Sequence, residues 1–224
     1  MSAQCKNGFK ILILILLVRP FAWFFLGVNR YSKFKVPPDT PLILAVNHNS
    51  HLDTLLIFSL LPLKAAIRTR FVAAGDYFYE IPLLSWLLFD VFEMIPVWRN
   101  QHDVHSPTRR DSLALISEAL HQGAVVVLFP EGTRGFPEQR SGLKKGIAKL
   151  VLRHPEIPVL PIYLRGLGKS LPRGEKVFVP LIPQIAAGTP LLWREASESQ
   201  IMEDLAHSFS SLEKTLSTQD WIPA

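Results

Sequence analysis

The sequence predicts an α/β protein, with a mixed, largely parallel sheet flanked by helices and an N-terminal membrane-associating helix before it. Three observations support this class. From Pro41 onward, short apolar runs alternate with helical patterns, which is typical of a sheet with helices on its faces. The near-continuous apolar run AVVVLF, residues 124–129, suits a central strand covered on both faces. The apolar stretch at residues 9–28 predicts the membrane-associating helix.

The individual elements follow from the same patterns. Strands are expected at residues 42–46, 70–74, 94–98, 124–129, 159–164 and 176–179. Helices are expected at residues 51–61, 82–90, 108–122, 143–153 and 197–217. The Pro37-Pro38 pair is typical of a hinge. We therefore expect a membrane-associating segment at residues 1–36 and a single domain at residues 37–224.

Composition favours an anionic partner and contact with lipid. The chain of 224 residues carries a formal net charge of +5, and 48% of its residues are hydrophobic while only 19% are charged. A basic balance suits lipid headgroups, nucleic acid or a phosphorylated metabolite. Nucleic acid gains no support, because the basic residues are not interleaved with aromatics as in the known binding modules. The single cysteine, Cys5, excludes an internal disulfide and a cysteine-based metal site.

The stretch FKILILILLVRPFAWFFLGV, residues 9–28, is nearly long enough to span a bilayer, but Arg19 and Pro20 interrupt it. Four interpretations compete: a signal peptide without a cleavage site, a spanning helix with Arg19 snorkelling, a monotopic anchor bent at Pro20, and a buried core helix. The monotopic anchor explains the interruption best, and the aromatics at residues 21–25 favour membrane contact. Flanking cations would pair with anionic headgroups on the cytoplasmic side, namely Lys6, Lys10, Arg30, Lys33 and Lys35.

A polar cluster from Asn47 to His51 separates the first predicted strand from the first predicted helix, and Asp53 follows it. Ser50 to Asp53 fits a capping box, in which Asp53 caps the helix. His48 and Asp53 would face apart on one regular helix, so they can meet only if His48 lies on the loop before it. The cap would then hold Asp53 where it can orient the imidazole, which predicts a general base. His51 matches no strong zinc spacing and is expected on the helix surface, so no metal site is predicted.

A second polar cluster, PEGTRG, follows the strand predicted at residues 124–129. Its proline and two glycines allow a tight turn with exposed backbone N–H groups. Arg134 can bind a phosphate through two hydrogen bonds, and Thr133 can donate its hydroxyl. Glu131 would repel a phosphate, so it must pair with an arginine or accept a hydrogen bond from a substrate hydroxyl. The alternative is an ordinary turn with a surface ion pair.

Taken in order, NHNSHLD at residues 47–53 and FPEGTR at residues 129–134 resemble the signature blocks of the glycerolipid acyltransferase family, and within it the 1-acylglycerol-3-phosphate acyltransferases. Two weaker blocks also resemble the family pattern: MIPVWR, which ends in Arg99, and the stretch around Pro161. Trp98 departs from that pattern, in which a smaller or acidic residue precedes the arginine. The resemblance covers residues 41–179.

The resemblance implies a fold of the glycerolipid acyltransferase type and assigns roles to the residues of the blocks. His48 would take the proton from an acceptor hydroxyl as that oxygen attacks an acyl thioester. Asp53 would orient His48 and stabilise the imidazolium. The substrate-binding residues would be Arg99, Glu131, Gly132, Thr133, Arg134 and Pro161.

The resemblance also implies the reactants and the location. The acyl donor would be a thioester of coenzyme A or of acyl carrier protein, which is a co-substrate, and no cofactor would be bound. The acceptor would be lysophosphatidic acid, giving phosphatidic acid in phospholipid biosynthesis at the cytoplasmic face of a membrane. The open alternatives are another acceptor (a lyso-ornithine lipid, a lysophospholipid or glycerol 3-phosphate) and a lipid-binding protein without turnover.

Overall fold

The computed structural model describes residues 2–28, 35–37, 39–74, 85–97, 112–133, 141–170 and 179–216. One six-stranded sheet has the strand order β3-β2-β4-β1-β5-β6. Neighbours from β3 to β5 are parallel, and β6 pairs antiparallel with β5. The predicted mixed, largely parallel sheet is confirmed. Its strands are β1 (Leu42–Val46), β2 (Thr69–Ala74), β3 (Ile95–Val97), β4 (Val125–Leu128), β5 (Val159–Arg165) and β6 (Gln184–Ala187).

The described helices are α1 (Ala3–Ile13), α2 (Arg19–Phe25), α3 (Leu52–Leu60), α4 (Leu63–Ile67), α5 (Ser112–His121), α6 (Gly146–Arg153), α7 (Leu167–Ser170) and α8 (Glu198–Thr215). A π-helical turn, Leu14–Val18, joins α1 to α2, and a second π-helical segment covers Trp86–Val91. The helix predicted at residues 82–90 is π-helical where it is described, and residues 82–84 lie outside the described residues.

Two kinds of element differ from the prediction. Val179, the described end of the strand predicted at residues 176–179, is not in a strand, and residues 176–178 lie outside the described part of the chain. α4, α7 and β6 were not predicted. Each has only four or five residues, which is too short for a helical or alternating period to be recognised.

Both faces of the central strands are buried. Leu42 and Leu44 of β1 belong to a core covered by α3, α4 and the N-terminal helix. Ile43 and Ala45 belong to the core on the opposite face, under α5, α6 and α8. Because neither face meets solvent, the strands carry apolar residues at successive positions, as expected for parallel strands inside an α/β sheet.

The N-terminal helix continues from Ala3 to Phe25, and Pro20 stands in the first turn of α2 without ending it. Every fourth residue of this helix faces the domain. On a regular α-helix such positions would drift by about 40° at each step. A π-helical turn accommodates an additional residue, so it corrects the drift and keeps one stripe on the domain. The buried stripe consists of Lys10, Leu14, Val18, Ala22 and Leu26.

One charged residue of this helix, Lys10, is buried against the domain. Its Nζ donates to Oε2 of Glu93 at 2.6 Å and to the carbonyl oxygen of Ile67 at 3.3 Å. Arg70 of β2 approaches the same oxygen of Glu93 at 2.8 Å. The predicted pairing of Lys10 with lipid headgroups is therefore wrong, because the burial of this ammonium in the stripe directs it to the domain.

A second charged residue of this helix, Arg19, donates to the carbonyl oxygens of Ser59 at 3.3 Å and Leu61 at 2.9 Å, at the C-terminal end of α3. The helix end is where carbonyls lack intrahelical partners and cations are favoured. Lys10 and Arg19 are nine residues apart and would lie about 180° apart on a regular α-helix. The additional residue in the π-helical turn brings them to within about 80°, so both reach the domain.

The outer side of the same helix is apolar and exposed. Leu16, Leu17, Trp23 and Phe24 are each 59% to 74% accessible. Among the described residues, one helix, Gln4–Phe25, is long and apolar enough to cross a membrane. The division into a segment at residues 1–36 and a domain at residues 37–224 stays a prediction, while the buried stripe shows that the N-terminal helix contributes to the core.

Candidate active site

The loop between β1 and α3 brings His48 and Asp53 together. β1 ends at Val46 and α3 begins at Leu52, so His48 lies on the loop, as the spacing argument requires. Nδ1 of His48 lies 2.9 Å from Oδ2 of Asp53, whose side chain is fully buried, while 16% of the His48 side chain is exposed. A carboxylate only accepts hydrogen bonds, so Nδ1 carries the hydrogen. Nε2 of the neutral imidazole is then the nitrogen that can take a proton.

The carboxylate of Asp53 is fixed by the backbone of the same loop. The N–H groups of Asn49 and Ser50 donate to its Oδ2 at 2.7 and 2.8 Å, in addition to His48. The carboxylate of Asp53 thus accepts from the N–H of Ser50, which is one half of a capping box. In the other half, Oγ of Ser50 accepts from the N–H of Leu52 and not from the N–H of Asp53. Three donors on one oxygen hold the carboxylate in place, and the carboxylate in turn holds the imidazole ring.

Asn47, which was not predicted as a site residue, attaches the start of this loop to β5. Its Oδ1 accepts from the N–H of Leu164 at 2.6 Å, and its Nδ2 donates to the carbonyl of Leu164 at 2.9 Å. The buried side-chain amide therefore takes the place of a backbone partner where β1 has ended. The sequence carries no signal for this pairing, because the two residues are 117 positions apart.

Phe129 is a second contact of His48 that sequence reasoning missed. β1 and β4 are parallel neighbours with Ala45 opposite Leu128, so the residues that follow the two strands lie side by side. The imidazole of His48 and the ring of Phe129 are stacked, with centroids 4.0 Å apart and planes inclined by 20°. The contact depends on the position of β4 beside β1, which strand order alone decides.

Glu131 lies in the same corner and is 1% exposed. Its Oε1 accepts from the backbone N–H of His48 at 3.3 Å, and its Oε2 accepts from the backbone N–H of Ser141 at 2.9 Å. Burial raises the pKa of the Glu131 carboxyl above 4.5, against the opposing effect of these two N–H groups. The predicted role of Glu131 in substrate binding stays a prediction, and the contacts that the structure shows go to the protein backbone.

A tight turn follows β4, as predicted from its proline and glycine. The N–H of Gly132 donates to the carbonyl of Phe129 at 2.9 Å, and the N–H of Lys144 donates to the carbonyl of Pro130 at 2.7 Å. Gly132 has φ +72°, and a β-carbon there would lie 3.3 Å from Cγ of Lys144, so this position requires glycine. Thr133 is exposed at the end of the described turn.

The remaining predicted site residues are only partly within the described structure. Arg99 and Arg134 lie outside the described residues. Pro161 lies in β5 opposite Ala45. A β-carbon built on Gly188 would lie 2.9 Å from Cγ of Pro161, which places the Pro161 ring against the end of β6. The binding roles predicted for these residues stay predictions.

His51 is exposed at the start of α3. Within the described ranges, no group of three His, Cys, Asp or Glu side chains is arranged to hold a metal ion. The site therefore presents an oriented imidazole at the carboxyl ends of two central parallel strands, which is where α/β sheets bind their ligands.

Known proteins resemble this chain in sequence and in fold. The acyltransferase family model matches residues 27–165. A 1-acyl-sn-glycerol-3-phosphate acyltransferase from Chlamydomonas reinhardtii is 32% identical over 143 residues, which are 62% of this chain and 39% of the relative. A chloroplastic 1-acyl-sn-glycerol-3-phosphate acyltransferase from Arabidopsis thaliana is 33% identical over 138 residues, 62% of this chain and 35% of the relative. The chain thus matches well under half the length of these relatives.

The fold matches the crystal structure of the 1-acyl-sn-glycerophosphate acyltransferase PlsC from Thermotoga maritima, with a TM-score of 0.69 and 19% identity, over 98% of this chain and 91% of that chain. The match includes the largely parallel sheet whose central strands carry the loop of His48 and the turn of Glu131. The family model covers more than half of the sequence and both motif blocks, so this chain belongs to the acyltransferase family.

Proposed function

We propose that the protein is an O-acyltransferase that moves a fatty acyl group from an acyl thioester to the free hydroxyl of 1-acylglycerol 3-phosphate, giving phosphatidic acid. The observation that carries the proposal is the pairing of His48 with buried Asp53, which leaves Nε2 to act as a base. Membership of the acyltransferase family and the names of the relatives support the same reaction.

The reaction needs no covalent enzyme intermediate, because a thioester is already activated. Nε2 of His48 takes the proton of the acceptor hydroxyl as that oxygen attacks the thioester carbonyl carbon. The carbon–oxygen bond forms, the tetrahedral intermediate collapses, and the carbon–sulfur bond breaks. The departing sulfur takes up the proton from the imidazolium and leaves as a thiol. Asp53 stabilises the imidazolium between these two proton transfers.

The acceptor's phosphate would be held beside this base. Arg134 follows Thr133 at the turn after β4, and Arg99 follows the end of β3 at Val97. Because β1, β2, β3 and β4 are parallel, their carboxyl ends share one edge of the sheet. We assign phosphate binding to these two arginines together with Gly132 and Thr133, since a guanidinium matches a phosphate with two hydrogen bonds.

The test of the function is a His48→Ala variant in a Cys5→Ser background, so that free thiol comes from the substrate alone. Release of thiol from acyl coenzyme A or acyl carrier protein, with lysophosphatidate as acceptor, should fall by about 10²–10⁴-fold or more. The matched control is His207→Ala on the exposed side of α8, which should turn over normally. Normal turnover by His48→Ala would end the assignment, and no thiol release by the unaltered protein with any donor would favour a lipid-binding protein.

Arg134→Ala tests the acceptor. It should raise the Michaelis constant for lysophosphatidate by about 10- to 100-fold, because a charge-assisted hydrogen bond to phosphate is lost, and change that for the acyl donor much less. Equal effects on both substrates would contradict phosphate recognition. The same comparison is made with a phosphate-free acceptor such as a lyso-ornithine lipid. If the unaltered protein and Arg134→Ala turn it over equally well, that lipid would replace lysophosphatidate as the proposed substrate.

We further propose that the N-terminal helix lies in one leaflet, with the domain on the cytoplasmic face. Lys10 and Arg19 bind the domain, so a spanning position would have to remove Lys10 from Glu93 and Arg19 from the end of α3. The exposed apolar side is suited to the interface, where tryptophan is favoured. An apolar groove of about 600 Å³ is lined by this side of the helix and by Leu55 of α3. Such a groove suits the acyl chains of the leaflet.

A further inference from the structure

The turn after β4, to which phosphate binding is assigned above, also contacts the candidate base at two residues. Phe129 stacks on the imidazole of His48. Glu131, two residues later, accepts from the backbone N–H of the same histidine. One residue therefore touches the ring and the other holds the main chain, so His48 is held from β4 as well as by Asp53.

The contacts of Glu131 do not suit a substrate ligand. Its side chain is 1% exposed, and each of its two oxygens already accepts from a backbone N–H group, of His48 and of Ser141. An ionised carboxylate would also repel the acceptor's phosphate. Ser141 is the first described residue after positions 134–140, which include Arg134. Glu131 thereby joins the main chain of the base to the main chain of Ser141.

We propose that Phe129 and Glu131 are positioning residues for His48, with Phe129 setting the plane of the imidazole and Glu131 setting the main-chain position of the histidine and of Ser141. The proposal rests on the function proposed above and replaces acceptor binding as the role of Glu131. Its physical basis is that a general base must be held within a fraction of an ångström of the reacting oxygen, and a displacement of 1 Å costs about 10²-fold in rate.

Asp53 alone leaves some freedom to the ring. A single hydrogen bond at Nδ1 tolerates a small rotation of the imidazole about its Cβ–Cγ bond, which would displace Nε2 from the acceptor hydroxyl. A flat ring stacked at 4.0 Å opposes that rotation. Its π-face also favours the positive charge that His48 carries between the two proton transfers. The stack and the hydrogen bond therefore restrain different movements of one side chain.

Glu131→Gln is the first test, measured as kcat and as the Michaelis constant for lysophosphatidate. Glutamine keeps the shape but has one acceptor oxygen, so one of the two backbone N–H groups loses its partner. We expect kcat to fall by about 10- to 100-fold while the Michaelis constant changes by less than about threefold. The control is Glu118→Gln, on the exposed side of α5, which should change neither. A rise in the Michaelis constant as the main effect, or no change in either quantity, would overturn the role of Glu131.

Phe129→Leu and Phe129→Tyr are the second test and do not depend on Glu131. Leucine removes the aromatic ring and should lower kcat by up to about tenfold, whereas tyrosine keeps the stack and should retain most of the activity. The ring-current shift of the His48 proton resonances, identified by their loss in His48→Ala, should disappear with leucine and persist with tyrosine. Unchanged His48 resonances in the leucine variant, or equal activity of the two variants, would overturn the role of Phe129.

The two tests separate this proposal from the proposed function. If His48→Ala turns over normally, the function fails, and the resonances still decide whether the ring of Phe129 holds the imidazole. If His48→Ala is inactive but Glu131→Gln changes only acceptor affinity, the function stands and the positioning role of Glu131 fails. If Glu131→Gln does not fold, as judged by circular dichroism, the pair of Phe129 variants decides whether the turn after β4 positions His48.

Discussion

The loop after β1 and the N-terminal helix both place charged groups among apolar residues, and they satisfy them differently. In the loop, Asp53 finds its donors at most five positions away, in His48, Asn49 and Ser50. In the helix, Lys10 finds Glu93, which is 83 positions away, and Arg19 finds carbonyls about 40 positions away. The loop is thus a local structure that the surrounding fold supports, whereas the polar contacts of the helix exist only after the domain has folded.

This difference separates chemistry from assembly. Local hydrogen bonds fix the relative positions of the acid and the imidazole, on which the rate of a proton transfer depends. The long-range contacts of the helix set its rotation about its own axis, and so they decide that its apolar side faces away from the domain. Changes in the loop should therefore reduce turnover strongly and change the free energy of unfolding little, and changes at the helix contacts should do the reverse.

The largest effect is expected from Asp53→Asn. The amide cannot accept from three N–H donors as the carboxylate does, and it does not stabilise an imidazolium, so turnover should fall by at least about 10²-fold. Because the two residues act as a unit, the double variant with His48→Ala should be about as inactive as His48→Ala alone. Thiol-release rates of the two single variants and the double variant measure this. Fully additive losses would show that Asp53 acts independently of the base.

A smaller effect is expected from pH at the helix contact. Burial would raise the pKa of Glu93, but the hydrogen bond from Lys10 and the charge of Arg70 hold it below 4.5. A carboxyl whose pKa is lower in the folded state than in the unfolded state stabilises the fold at any pH above its unfolded-state pKa. This stabilisation is lost as the pH falls through its folded-state pKa. The free energy of unfolding should therefore decrease below about pH 4.5.

Glu93→Gln sharpens this test. It should cost about 1–2 kcal/mol at neutral pH, which allows for partial exposure of the carboxylate, and it should remove that part of the acid dependence. Denaturant unfolding in mild detergent across the pH range measures both effects. Glu203→Gln, an exposed carboxylate on α8, is the control and should retain the acid dependence. An acid dependence unchanged in Glu93→Gln would contradict the proposed contribution of this contact.

The smallest effect on activity is expected from labelling Cys5, which is exposed near the start of the helix. If the helix lies in one leaflet, a membrane-impermeant maleimide should reach Cys5 from the same side as a cysteine placed in the domain. Ser199→Cys in a Cys5→Ser background supplies that reference, because Ser199 is exposed on α8. Turnover should be unchanged. Labelling of the two cysteines from opposite sides of sealed vesicles would show a spanning helix.

Most of the sheet and the geometry of the first loop could be predicted because their signals are local. The bounds of β1 agree with the apolar run at residues 42–46, and the His48–Asp53 pair follows from a cap that spans four residues. The contact of Phe129 with His48 and the contact of Asn47 with β5 could not be predicted. Their positions depend on β4 and β5 lying on either side of β1, an order that no short stretch of sequence encodes.

The sequence by itself determined the alternation of strands and helices, the imidazole and carboxylate on one tight loop, and a long apolar segment at the N-terminus. These are consequences of hydrophobic periodicity and of hydrogen bonds between near neighbours. Only the tertiary structure decided which side of that segment faces the domain, where Lys10 and Arg19 bind, and that Glu131 points to the main chain of His48. Such contacts join positions far apart in the chain, and burial in the folded core selects them.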